Sequence, residues 1–497
     1  MNMTFDDSRY QVIDLMQESR RCVYRAFEHI PYVEAPEDAA QQRLSIFVPE
    51  EYYQGKSIGG YSLATAPILL QNSVGGYMPG PEERPGRDFF MQETNTAFYA
   101  LLHGYVVVSP GVRGRGMKNA AGQNIGVAPA AILDLKAAVR YLKSNKGKVP
   151  GDTDRIISNG TSAGGALSSL LGATGNHPDY LPALRRMGAA EADDSIFAAS
   201  CYCPITNLDH ADMAYEWEFA GLDDYHRMQM DPPAPGEDRP RMTPVDAEMS
   251  EEQKELSGEL KKLFPAYLNS LGLRDEKGLP MRLDADGKGT FREHTATLIM
   301  ASAQKELDRL ASGKPGERTA AGKYEGVRHS ARNTAPSPAE CPALTVSNGR
   351  VTGIDFDAFV RFRTRMKETP AFDSMSLHTA ENELFGSADI RFRHFTDFSM
   401  GHDKTGAGAA DAAQVRLMNP MNYIGDPDAV KAAHFRIRHG AVDRDTSLAV
   451  SEMLALSLTG AGFDCDIAHP WGIPHAGDYD LDEMFAWIDR ICASSQN

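Results

Sequence analysis

Three observations predict an α/β protein with a mostly parallel central sheet, flanked by helices and interrupted by a large insertion. Short, near-continuous apolar runs alternate with helical stretches through the first two hundred residues. The alternation stops after about residue 205 and resumes after about residue 396. Apolar strands spaced by helices imply a sheet covered on both faces.

Leu44–Pro49, Ala66–Gln71 and Tyr105–Ser109 read as strands, each a brief apolar run. Ala130–Leu142 reads as an amphipathic helix, with Ile132, Leu135, Val139 and Leu142 on one face. A strand at 155–159, a helix over 166–172 and a strand at 197–205 follow. The insertion, 206–395, is polar, with a Pro-rich loop from Asp231 and a charged helix near 250–270. Ser250 and Gln253 form a capping box for that helix. A Gly- and Lys-rich stretch at 313–326 reads as a loop, and Asp284–Gly287 as a turn, since it lacks the spacing and final Glu of a calcium loop. Beyond it come a strand at 434–439, a helix at 446–460, a strand at 463–468 and a terminal helix at 481–492. Residues 1–205 and 396–497 thus form one core, and 206–395 would overhang the carboxyl edge of its sheet as a substrate-shaping lid.

The 497 residues carry a formal charge of −17, which argues against nucleic-acid binding. No apolar run is long enough to span a membrane, and the acidic N-terminus lacks the basic and apolar regions of a secretory signal, so a cytoplasmic location is expected. The cysteines are scattered; Cys201 and Cys203 would share one face of a strand, which suits packing better than a disulfide. With no C-x-x-C pair and no H-E-x-x-H, neither a metal nor an organic cofactor is expected.

Gly160-Thr161-Ser162-Ala163-Gly164 lies between a predicted strand and a predicted helix. G-x-S-x-G in that setting is the nucleophile elbow of an α/β-hydrolase fold, whose sharp turn requires small residues on both sides of the serine. Such a fold needs an acid and then a base on loops after late strands. Asp443 and Asp445 follow the strand ending at His439, and His475 follows the strand ending near Ala468. Among the competing histidines, His439 and His469 sit near suitable places, but Pro474-His475-Ala476-Gly477 gives a flexible loop before the last helix. His475 is therefore the expected base, Ser162 the nucleophile and Asp443 the acid, since Asp445 is placed to cap a helix. The oxyanion hole would use the Ala163 N–H and one from the Ser73–Gly80 loop, with Gly76 preferred over Gly75.

These motifs resemble those of the bacterial tannases, esterases that hydrolyse galloyl esters. The resemblance runs nearly end to end, through Val74-Gly75-Gly76-Tyr77, Asn159–Gly165, Ala211–Trp217, Asp443–Ser447 and Pro474–Asp480. It implies an α/β-hydrolase core with an inserted lid, the triad Ser162, Asp443 and His475, and a galloyl-binding set of Lys367, Glu381 and Asp445. Gallate's three adjacent phenols suit carboxylate acceptors and an ammonium donor. The fungal tannase and feruloyl esterase pattern, with cysteines beside the serine and histidine, is not matched: Thr161 and Pro474 stand there.

The expected partner is thus a small galloyl ester. A feruloyl or cinnamoyl esterase is a neighbouring alternative. A serine peptidase, to which Gly111–Met117 bears a slight similarity, and a non-catalytic binding protein are more distant ones.

Overall fold

The computed structural model describes residues 3–88, 93–231, 241–312 and 336–494. The 313–326 stretch and the Pro-rich loop beyond Asp231 lie outside the described residues.

Nine strands join in one sheet. In chain order they are β1 (Gln11–Gln17), β2 (Arg20–Pro31), β3 (Arg43–Pro49), β4 (Pro67–Asn72), β5 (Val106–Pro110), β6 (Asp152–Thr161), β7 (Ala198–Tyr202), then, after two hairpins outside the sheet, β12 (His434–Arg438) and β13 (Asp464–Ala468). The hairpins pair β8 (Asp224–Asp231) with β9 (Arg241–Glu248) and β10 (Leu344–Ser347) with β11 (Arg350–Ile354). The spatial order is β1-β2-β3-β5-β4-β6-β7-β12-β13. From β5 to β13 all neighbours are parallel; β1, β2 and β3 pair antiparallel. The β1–β2 hairpin lies outside the predicted elements because its burial is partial along most of its length, and no apolar run marks it.

The parallel strands bury alternate residues in two opposite layers. Ile68 and Leu70 of β4, Val106 and Val108 of β5 and Ile156 of β6 join one core, with the helices Ala130–Ser144, Ala163–Ala173 and Leu448–Gly460. Leu69, Val107 and Ile157 join the other, with the helices Thr96–His103 and Leu481–Ser494. Each fully buried Val, Leu or Ile stabilises such a layer by about 1.5–3 kcal/mol.

The expectation that Cys201 and Cys203 share a strand face is not met. β7 ends at Tyr202, and Cys203 turns away with φ 35°. Cys201 packs in the first core, whereas Cys203 packs in the second, beside the His475 loop. Both are free thiols.

Between β7 and β12 the chain forms helices and the two small hairpins. The helix Glu251–Ser270 starts with the Ser250–Gln253 capping box, and Asp284 Oδ1 accepts from the Asp286 and Lys288 N–H groups in the expected turn. Phe264, Phe291 and Phe356 from this region pack around Trp217, inside the same core cluster as the sheet. Among the described residues, no helix is long and apolar enough to cross a membrane.

Candidate active site

Ser162 stands between the last residue of β6 and the helix Ala163–Ala173, with φ 61° and ψ −122°. A non-glycine residue in that region is strained, as a nucleophile elbow requires. The turn closes so tightly that a Cβ on Gly160 would meet the Gly164 backbone at 2.5 Å. One on Gly164 would meet the Val74 carbonyl at 2.8 Å. The Ser162 N–H donates to the Tyr202 carbonyl at 2.9 Å, tying the elbow to β7.

The loops after β12 and β13 bring Asp443 and His475 together. His475 Nδ1 lies 2.8 Å from Asp443 Oδ2, and Asp443 is fully buried. The base loop lies directly on the elbow: a Cβ on Gly477 would fall 1.8 Å from Thr161 Oγ1. Asp478 accepts from Asn159 Nδ2 at 2.8 Å and from Thr96 Oγ1 at 2.6 Å, which anchors that loop to β6. His475 Nε2 stands 4.0 Å from Cys203 Sγ. Among the described residues no hydrogen bond joins it to Ser162 Oγ; such contacts are often long in a ligand-free enzyme and tighten on substrate.

The competing histidines are occupied otherwise. His469 pairs with Glu452 at 2.9 Å in the core, and His439 bonds Ser451 at 2.8 Å while its Nε2 faces Asp443 Oδ2 at 3.2 Å. Asp443 thus carries two imidazoles on one oxygen. Its other oxygen accepts the Asp445 N–H at 2.8 Å. Burial alone would raise the Asp443 carboxyl, but His475 and His439 outweigh it and hold it well below the usual range. Burial likewise disfavours a charged His475, yet Asp443 outweighs it and lifts the imidazole well above its ordinary value.

Lys367, Glu381 and Asp445 gather on the same side. Lys367 Nζ is 3.0 Å from Asp445 Oδ1 and 4.1 Å from the centre of the Phe372 ring. Burial raises the Glu381 carboxyl above its ordinary value, against the field of nearby Lys367. For Lys367 the burial penalty is overcome by Asp445 and Glu381, which keep it charged. Asp445 therefore pairs with the Lys367 ammonium, and both feel the field of Glu381.

The Ala163 N–H opens the helix after the serine, where backbone donors are free of intrahelical partners. The loop after β4 reaches the same spot, for Asn72 Nδ2 donates to the Gly164 carbonyl at 2.9 Å. In it Gly76 adopts φ +54°, and Arg115 Nε donates to the Gly76 carbonyl at 2.6 Å. Arg115 also pairs with Glu383 at 2.6 Å. The Gly111–Met117 segment thus runs directly against the Ser73–Gly80 loop. Gly114 passes so close that a Cβ would lie 2.2 Å from the Met78 backbone.

Cys203, Arg115 and Arg363 were not anticipated at the site, and His439, weighed as a base, instead faces Asp443. Arg363, fully buried, donates to the Asp443 carbonyl and pairs with Glu218. Arg365 pairs with Glu216 at 2.8 Å and donates to the Lys367 carbonyl at 2.5 Å. Two arginines of one segment therefore hold the acid loop and the lysine. Charged residues two apart, each matched by a carboxylate of Tyr215-Glu216-Trp217-Glu218, were the available signal.

An elbow serine at the carboxyl edge of this sheet, with a His–Asp pair on the loops after β12 and β13, defines an α/β-hydrolase of the carboxylic ester hydrolase class. The BD-FAE family model matches residues 68–250. A 52-residue stretch is 46% identical to Esterase LipC of Mycobacterium tuberculosis, covering 10% of this chain and 13% of that esterase's length. Over the whole chain, the tannase of Lactobacillus plantarum is 42% identical with a TM-score of 0.90, covering 99% of this chain and 100% of that one. A tannin acyl hydrolase solved in complex with ethyl gallate is 42% identical with a TM-score of 0.87, covering 99% of each chain. The chain belongs to the bacterial tannase family.

Proposed function

We propose that this protein hydrolyses the galloyl esters of hydrolysable tannins and simple alkyl gallates, releasing gallic acid through a galloyl-Ser162 intermediate. The observation that carries this reading is the Lys367–Asp445 pair, with Glu381, set beside the Asp443–His475 pair. The relative bound to ethyl gallate supports the same substrate class.

Ser162 Oγ attacks the ester carbonyl as His475 Nε2 takes its proton. The developing oxyanion accepts hydrogen bonds from the Ala163 and Gly76 N–H groups. Collapse expels the alcohol, which takes the proton back from His475. Water then repeats the sequence against the acyl-enzyme and frees gallate and Ser162. Asp443 holds the imidazole and balances its charge. Lys367, Glu381 and Asp445 bond the ring phenols, and the 206–395 lid carries the first two of them.

Methyl gallate against methyl ferulate tests this reading. Built to bond three phenols, the site should reject ferulate by on the order of 10⁴-fold in kcat/KM, because its polar groups would be left unpaired. Equal rates on both would favour a general feruloyl or cinnamoyl esterase. Labelling by a fluorophosphonate, lost in Ser162→Ala, separates an enzyme from a binding protein on the same scaffold.

A further inference from the structure

We infer that Cys203 Sγ and His475 Nε2 form a binding site for a soft or borderline divalent metal ion such as Zn²⁺ or Cd²⁺, and that its occupancy switches the esterase off. Cys203, Asp443 and His475 bring their ligand atoms within 4.8 Å of one another, the one such triple among the described residues. The Sγ···Nε2 separation is 4.0 Å. Two ligands bound to one tetrahedral ion, at about 2.3 Å for sulfur and 2.0–2.1 Å for nitrogen, stand slightly less than this apart. A small rotation of either side chain would therefore close the site.

Asp443 is already engaged in the way a supporting carboxylate should be. It faces Nδ1 at 2.8 Å, which fixes the ring and leaves the Nε2 lone pair for the metal. The thiol–imidazole set discriminates against Mg²⁺ and Ca²⁺, which prefer all-oxygen shells. The His475 side chain is 26% exposed, so an ion can reach the pair from solvent. Burial raises the Cys203 thiol above its ordinary value. The thiol proton, and the Nε2 proton wherever the imidazole is still charged, are therefore released to solvent as the metal–sulfur and metal–nitrogen bonds form, and binding should tighten as pH rises. With Nε2 metallated, the base cannot take the proton of Ser162.

The inhibitory effect rests on the reading of His475 as the base, whereas binding does not. The first measurement is hydrolysis of methyl gallate with added Zn²⁺, each protein normalised to its own metal-free rate. Wild type should lose activity, EDTA should restore it, and Cys203→Ala should raise the half-inhibiting concentration at least about tenfold. The second is Cd²⁺ titration of the resting protein, read by thiolate-to-metal absorption, with Cys465→Ala as a control. The absorption should vanish in Cys203→Ala and persist in the control. Equal inhibition of wild type and Cys203→Ala, no inhibition of wild type, or absorption that survives in Cys203→Ala overturns the proposal. Should the protein hydrolyse no gallate ester, the cadmium titration still tests the site.

Discussion

The Asp445 N–H donates to Asp443 Oδ1 at 2.8 Å, while the Asp445 side chain faces Lys367 at 3.0 Å. One residue therefore touches the Asp443–His475 pair through its backbone and the proposed ring site through its carboxylate. Side-chain replacement leaves the backbone bond in place and so separates recognition from chemistry.

Asp445→Ala should lower kcat/KM on methyl gallate by about ten- to hundredfold, the worth of a charge-assisted hydrogen bond. On a simple acetate ester it should change little. Parallel assays of the two esters check this; a similar loss on both would make Asp445 part of the acid–base machinery.

The acid limb of the pH–rate profile carries a second expectation. Because Asp443 lifts His475 above its ordinary value, the imidazole stays protonated to a higher pH than a free histidine. A protonated base cannot accept the Ser162 proton, so kcat/KM on an acetate ester should fall as pH drops, with a midpoint above about 6.5. A midpoint at or below that value counts against the Asp443–His475 arrangement.

Arg115 donates to the carbonyl of Gly76, whose N–H is a proposed oxyanion donor. Arg115→Met should lower kcat on the order of tenfold, less than outright loss of an oxyanion donor, with KM nearly unchanged. Arg115→Lys should recover part of the rate. A rise in KM alone would place Arg115 in substrate binding.

Arg363→Met strands the fully buried Glu218 carboxylate. The cost should be about 3–5 kcal/mol of stability, read as a lower denaturation midpoint. Adding Glu218→Leu should restore most of it, whereas activity should stay low because the Asp443 carbonyl has lost its donor. Full recovery of activity in the double variant would remove Arg363 from the positioning of the acid.

Those elements whose residues are apolar on both faces were legible in the sequence. Strands β4, β5 and β7 announce themselves by composition alone, whereas the helix Ala130–Ser144 is read from the spacing of its apolar residues. The β1–β2 hairpin does not, because its turn is made by Glu18 and Ser19 in left-handed conformations rather than by glycine. The β10–β11 hairpin does carry a signal, Asn348-Gly349 at positive φ, the pair favoured in a type I′ turn. Ser162, Asp443 and His475 could be singled out from the sequence because each sits between a predicted strand and a predicted helix. Cys203, Arg115 and Arg363 were not, because their partners lie far along the chain and only folding brings them near.

The proposed nucleophile and both proposed oxyanion donors precede residues 206–395 in the chain, and the proposed acid and base follow them. During synthesis, Ser162 emerges from the ribosome long before the histidine proposed to take its proton. A chain synthesised only as far as β12 would carry Ser162 without His475, so the proposed proton acceptor is the last part of the site to be made.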